Sequence, residues 1–217
     1  MRRSLTILAA IAGIFLPLGS AAAGDFELLQ STEQDLRAGS LLVATEKLGD
    51  PAFAKSVILI VSRDNQGTIG LMINRRTDVP LSKIFPERKR AGSDPVYIGG
   101  PVELTLVQAL LRSPSPIREA TRVIGAVYST SDKDVIERNI DSRASPSKFR
   151  MYLGYAGWGP GQLESEIRLG AWSVETGSAG VVFDSHPDSL WARLNARLHM
   201  QIVERLRPLA AGAPMVR

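Results

Sequence analysis

The sequence predicts one α+β domain. Two observations carry this. Apolar runs with strand character and runs with helical spacing are mixed along the chain without the strict alternation of a doubly wound sheet. No internal repeat, heptad series or Gly/Ser-rich linker divides the chain. With 217 residues the chain is long enough to bury a sizeable core. Its 44% apolar and 22% charged content is that of an ordinary globular protein.

The elements follow in order. Arg2 and Arg3 precede an apolar run from Leu5 to Leu18 and then Gly19-Ser20-Ala21-Ala22-Ala23-Gly24. A basic start, an apolar stretch short for a membrane span and a small-x-small site predict a signal peptide over residues 1–23, cleaved after Ala23, and export to the periplasm. The alternative is an uncleaved N-terminal anchor in the inner membrane. Residues 24–38 form a short helix or extended arm, with Phe26, Leu28, Leu29 and Leu36 at helical spacing. Residues 41–44 read as a strand. Val57-Ile58-Leu59-Ile60-Val61 is a continuous apolar run, hence a strand buried on both faces. Asp64-Asn65-Gln66-Gly67 is turn chemistry, and with the apolar run after it completes a β-hairpin.

Residues 75–93 are basic and polar, a surface excursion with one helical turn around Leu81, Ile84 and Phe85. Residues 96–98 are a short strand ending in Gly99-Gly100-Pro101. Residues 103–111 fit a strand or a helix equally. Residues 122–128 read as one strand. Ser131 or Asp132 caps a helix to about Asn139. Residues 142–147 are a loop, and 148–155 a strand. Residues 170–175 and 180–183 read as short strands. Residues 188–207 are the longest helix, with Leu190, Trp191, Leu194, Leu198, Ile202, Val203 and Leu206 at its 3.6 period. Pro208 is expected to stop it, leaving residues 208–217 as a loose tail.

Composition excludes several chemistries. The chain has no cysteine, so disulfides, thiolate nucleophiles and cysteine metal sites are out. It has two histidines, His186 and His199, too few for a histidine-rich metal site; no metal and no cofactor is expected. His186 reads as a loop residue and His199 as a half-exposed helical one. Without Arg2 and Arg3 the mature chain carries 24 basic residues against 22 acidic ones. That balance, with no helix-turn-helix pattern, argues against nucleic acid as a partner.

The densest pattern is Gly154-Tyr155-Ala156-Gly157-Trp158-Gly159-Pro160-Gly161-Gln162-Leu163-Glu164. Here a strand ends near Tyr155, and the chain turns through Gly157 to Gly159. Pro160 suits the first helical position, from which Gln162 reaches back to the helix start. Leu163 and Ile167 share a face, and Glu164 and Arg168 stand four apart. A strand–glycine turn–helix resembles a phosphate cradle, but the spacing is wrong, no Walker lysine is present, and Glu164 and Glu166 already place negative charge there. The glycines instead leave room for Trp158 and Tyr155 to pack. Glu164 and Glu166, two apart on a helix, point to different faces and do not form a carboxylate pair. Asp132 and Asp134 read as cap and first-turn residues.

These residues resemble the signature of the YqgE/AlgH family. The resemblance rests on Gly154, Tyr155, Gly157, Trp158, Gln162, Glu164 and Glu166. Gly39 to Ala44, Asp50-Pro51, Asn74-Arg75, Gly99-Gly100-Pro101-Val102, Ser129-Thr130-Ser131, Trp172, Phe183 and Leu190-Trp191 extend it over residues 39–198. It implies a bifurcated, mostly antiparallel sheet curled into a pseudo-barrel and flanked by helices, over residues 39–207. It implies no biochemical activity, since none is established for such proteins; one branch carries the label of a transcriptional regulator. Family members are mostly cytoplasmic, unlike the export expected here. They often carry His where this chain has Arg63 and Arg112, and Pro in place of Arg76. Arginine is no base near neutral pH but holds anions, so Arg63, Arg75, Arg76 and Arg112 are a candidate anion patch. The reading is a non-catalytic binding or regulatory protein that takes a protein partner or a small anionic ligand. The alternative is an enzyme using Tyr155, Glu164 or Asp132 at the glycine-rich corner.

Overall fold

The computed structural model describes residues 36–211, with side chains described through 201. The expected signal peptide and nearly all of the expected N-terminal arm lie outside the described residues; of the arm, Leu36 is buried.

Ten strands form one bifurcated sheet, curled into a half-barrel with five helices around it. The apolar run after Ser56 becomes β2 (Val57–Asp64), flanked by β1 (Ser40–Ala44) and β3 (Gly67–Met72). As the unbroken run requires, β2 is buried on both faces. Val57, Leu59 and Val61 enter the core inside the curl, while Ile58 and Ile60 enter a second core on the other face. The β2–β3 hairpin forms as expected.

Next come β4 (Arg76–Pro80), α1 (Leu81–Ile84), β5 (Pro95–Ile98) and β6 (Val102–Arg112). The expected helical turn is α1. The polar excursion also holds β4, which pairs with β5 and carries no apolar alternation to betray it. The ambiguous segment is the strand β6, because it lies between β8 and β9. The expected single strand at 122–128 is corrected to a hairpin, β7 (Thr121–Ile124) and β8 (Val127–Thr130). Gly125, at φ +53°, turns the chain.

Helix α2 (Lys133–Asp141) starts as expected, with Asp132 Oδ1 accepting the Val135 N–H at 2.9 Å. Then follow β9 (Phe149–Trp158), α3 (Gln162–Arg168), β10 (Trp172–Thr176), α4 (Ala179–Val182) and α5 (Pro187–Ala211). Three expectations are corrected here. β9 does not end near Tyr155 but continues through Trp158, because Gly157 and Trp158 pair with Ile69 and Thr68. Residues 180–183 are not a strand: Ser178 accepts the Val181 N–H, and the chain makes one helical turn. Finally, α5 passes Pro208 and reaches Ala211. A proline this near a helix end removes one ladder bond, and the last turn closes beyond it.

The sheet runs β10-β1-β2-β3-β9-β6-β8-β7 and is antiparallel along this path. It branches at β9. The C-terminal end of that strand pairs with β3, its middle pairs in parallel with β5, and β6 lies on its other edge. The inner core gathers Leu41, Leu59, Leu71, Tyr97 and Tyr152 under Leu190 and Leu194 of α5. A second core lies beneath α3, around Leu42, Trp158 and Trp172, and a third beneath α2, around Val96, Leu111 and Met151.

Candidate functional site

The glycine-rich corner is assembled by close backbone crossing. The Gly99-Gly100 segment passes directly over β9. A Cβ on Gly100 would stand 2.0 Å from the Tyr155 carbonyl carbon. One on Gly154, at φ +68°, would stand 2.7 Å from the carbonyl oxygens of Gly100 and Val102. No side chain fits in either place. Gly99 donates its N–H to the Leu153 carbonyl at 2.8 Å, and Pro101 follows, exposed, directly before β6. Two of the motif stretches, far apart in sequence, are therefore the two sides of one crossing.

Trp158 is buried, as the sequence predicts, and is 5% exposed. It packs with Phe53 at 6.2 Å and edge-on to Trp172 at 5.9 Å. Its indole N–H donates to Glu166 Oε2 at 2.9 Å, and that of Trp172 donates to the same oxygen at 2.8 Å. Gln162 Nε2 donates to the other oxygen at 3.0 Å, while Gln162 Oε1 accepts the Gly159 N–H at 3.1 Å. So Gln162 reaches back as expected, although α3 begins at Gln162 itself, with Gly161 at φ +74° before it. Glu166 is the hub of this corner, a half-buried carboxylate with three donors. The sequence marks Glu166 but not its partners, because Trp172 reaches it only once β10 pairs with β1.

Glu164 points elsewhere, as its spacing from Glu166 requires. Its Oε1 accepts from Arg63 Nη2 at 2.6 Å. Partial burial works to raise its pKa, but the Arg63 hydrogen bond and charge, with Arg168 adding its own charge, hold the carboxyl below its ordinary range. Asn74 Oδ1 accepts the Val57 N–H at 2.8 Å and its Nδ2 donates to the Lys55 carbonyl at 3.0 Å. Arg75 Nη2 donates to the Ala54 carbonyl at 3.2 Å. This pair clamps the entry to β2.

The candidate anion patch is dispersed over separate partners. Arg63 engages Glu164 and Arg75 the Ala54 carbonyl. Arg76 pairs with Asp188 at the start of α5, at 2.8 Å. Arg112 ends β6 with no ion pair among the described residues. His186 accepts or donates at Nδ1 with its neighbour Ser185 at 2.9 Å, and the Asp184 carboxylate takes the His186 backbone N–H rather than the ring. Among the described residues that leaves no carboxylate orienting the His186 ring in the Ser-His-Asp manner. His199 is exposed on α5 beside the Asn195 carbonyl. Among the described residues no group of His, Asp and Glu is arranged to hold a metal.

Beside the corner lies an open, mostly apolar groove of about 380 Å³, lined by Ser62, Ile69, Val102, Tyr155 and Gly157 among others. Leu104 lies against Gly154 and is 53% exposed, and Ile69 is 38% exposed. Burial, with the charge of Glu103 beside it, pushes the Tyr155 phenol above its ordinary range.

A half-barrel branched at one strand, with the Gly-Gly crossing and the Trp–Glu–Trp corner, defines a class of small α+β proteins. The chain belongs to the AlgH-like family, whose pattern matches residues 41–203. It is 33% identical over 177 residues to UPF0301 protein SCO2948 of Streptomyces coelicolor, covering 76% of this chain and 89% of that one. It is 34% identical over 153 residues to UPF0301 protein azo3459 of Azoarcus sp., covering 68% and 81%. Its fold matches the solution structure of the AlgH protein from Pseudomonas aeruginosa with a TM-score of 0.63 and 28% identity, over 82% of this chain and 95% of that one. Protein DIP2367 from Corynebacterium diphtheriae matches with the same TM-score and 26% identity, over 75% and 87%.

Proposed function

We propose that this protein binds a protein partner at the groove beside Tyr155 and performs no chemistry of its own there. The observation that carries this is the employment of both motif carboxylates. Glu166 is saturated by Trp158, Trp172 and Gln162, and Glu164 is held by Arg63. Asp132, the other acid considered for catalysis beside Glu164, caps α2. Around the groove the corner offers Ile69, Val102 and part of Tyr155 beside the polar Ser62, Asp64 and Gln66, with Leu104 exposed nearby. Exposed apolar side chains around a groove suit a partner surface. The test is crosslinking and affinity capture from the native host, comparing the wild type with Ile69→Asp/Leu104→Asp. One partner, captured at defined stoichiometry by the wild type and lost in the variant, supports the reading. Turnover of a small molecule that depends on Tyr155 or Glu164 overturns it in favour of an enzyme.

The protein acts, on this reading, after export. Arg2 and Arg3, the apolar run from Leu5 to Leu18 and the small residues before Gly24 support a cleaved leader. No helix among the described residues is long and apolar enough to cross a membrane. N-terminal sequencing of protein from the native host should begin at Gly24. A chain starting at Met1 and recovered from the cytosol would defeat this part of the reading.

A further inference from the structure

Arg112 ends β6, Arg143 follows α2 and Lys148 precedes β9. The three cations line one concavity of about 570 Å³, together with Ser113, Ser142 and Ser145. No carboxylate lines it. All three cations are exposed, and among the described residues none of them has an ion pair. Arg63, Arg76, Arg88, Arg193 and Arg197 each meet a carboxylate, whereas Arg75, Arg90 and Arg150 bond backbone carbonyls; what sets the present three apart is that they share one concavity.

The backbone holds this arrangement. Arg112 donates its N–H to the Lys148 carbonyl at 2.8 Å, and Lys148 donates its own to Ser145 at 2.8 Å. Arg143 stands at φ +52°, just past the end of α2. There the Ala144 N–H reaches the Asn139 carbonyl at 3.0 Å and the Arg143 N–H reaches Ile140 at 3.0 Å. This is the helix stop that glycine favours, and an arginine here is strained. Arg143 thus stands where glycine would be less strained, and its side chain lines the basic concavity.

We propose that this concavity binds a small soluble oxyanion carrying two or more phosphate groups. Three cations lining one concavity that no carboxylate lines favour an anion with more than one charge over a monovalent one. Guanidinium forks match phosphate oxygens, and either Ser145 or Ser147, which share a hydrogen bond at 2.9 Å, has a hydroxyl to turn outward. The C-terminal end of α2 opposes an anion with roughly half a charge. Three full charges outweigh it, and the amides of residues 142–144 already occupy its last carbonyls. The volume falls within the range of roughly 300–1,000 Å³ typical of small-molecule sites.

Titration calorimetry of the full chain with inorganic pyrophosphate at about 150 mM NaCl tests this, a salt level that screens weak surface attraction. The expected result is one site per chain with a Kd below about 1 mM. Arg143→Gly should weaken binding at least about tenfold and yet raise the thermal midpoint, because glycine removes the strain. Arg112→Ala/Lys148→Ala, at the ends of ordered strands, should weaken it as much with little change in the midpoint. Absence of saturable binding overturns the proposal, as does pyrophosphate binding that both variants retain. Sedimentation with phosphatidylglycerol vesicles that pyrophosphate does not compete away also overturns it, pointing to a membrane surface instead.

Discussion

Trp158 and Trp172 meet edge to face at 5.9 Å and direct their indole N–H groups to the same oxygen of Glu166. One carboxylate thus ties the end of β9 to β10 through α3. Trp158→Ala should destabilise the protein by about 3 kcal/mol, from lost packing and a residual cavity. Glu166→Ala leaves two buried indole donors without a partner and should cost about 2–4 kcal/mol, while Glu166→Gln, which keeps an acceptor oxygen, should cost about half as much. Chemical denaturation measures all three. A change below about 1 kcal/mol for Trp158→Ala, with partner capture lost, would make the tryptophan a recognition residue instead.

Tyr152 is fully buried and its hydroxyl has no hydrogen-bond partner of good geometry among the described residues, although the Arg150 guanidinium, bonded to the Val182 and Asp184 carbonyls, stands close enough to lower its pKa. Removing a buried orphan hydroxyl while keeping the ring is neutral or favourable, so Tyr152→Phe should change stability by between zero and about +1 kcal/mol. A loss above about 1 kcal/mol on denaturation would reveal a partner that this geometry lacks.

Burial pushes the phenols of Tyr152, Tyr97 and Tyr155 up, and the nearby Arg150 charge offsets this in part for the first two. A raised folded-state pKa contributes stability that is complete below the unfolded value, about 10, and is lost as pH rises beyond it. Glu164 and Asp184 are depressed, so their contribution is complete above the ordinary carboxylate range and is lost as pH falls through their folded values. Stability against pH should therefore form a plateau with an acid and an alkaline shoulder. Arg63→Ala should shrink the acid shoulder by less than about 1 kcal/mol, since the pair is partly exposed. Denaturation midpoints at a series of pH values decide this.

The protein should show no specific DNA binding at physiological salt. The one locally basic stretch, residues 75–90, has much of its charge engaged. Arg76 pairs with Asp188, Arg88 with Glu137 and Asp141, and Arg90 donates to the Asp141 carbonyl. Phosphate contacts would first have to break these pairs. Titration of random and own-promoter duplexes at about 150 mM salt is the check. Submicromolar binding that prefers the promoter, and is lost when Arg75, Arg76, Arg88 and Arg90 become Ala, would favour a transcriptional role.

Local chemistry was legible where one residue type decides the outcome. The unbroken run from Val57 to Val61 announces a strand with two cores, Asp132 a helix start, and Gln162 a reach back to Gly159. Reading failed where four residues carry no period. Val181, Val182 and Phe183 suit strand or helix, and only the Ser178 cap marks the turn. A lone glycine inside an apolar run, Gly125, hid a hairpin. At the candidate anion patch, sequence grouped side chains that the fold keeps apart. Arg112 belongs with Arg143 and Lys148, not with Arg63 and Arg76, because the end of β6 meets the start of β9. Such groupings depend on strand order, which no local pattern carries.

The branching of the sheet at β9 bears on when the fold can form. The strand that holds β3, β5 and β6 together begins at Phe149, after eight of the ten strands have been made. At a synthesis rate of about 5–20 residues per second, the earlier strands wait seconds for their keystone. A nascent chain shorter than about 160 residues, a length set by the end of β9, has no closed core and stays open to whatever holds unfolded chains. The cores close only late in the chain, with β9 and then with Trp172 of β10 and Leu190 and Leu194 of α5, which keeps the chain threadable until most of it has emerged.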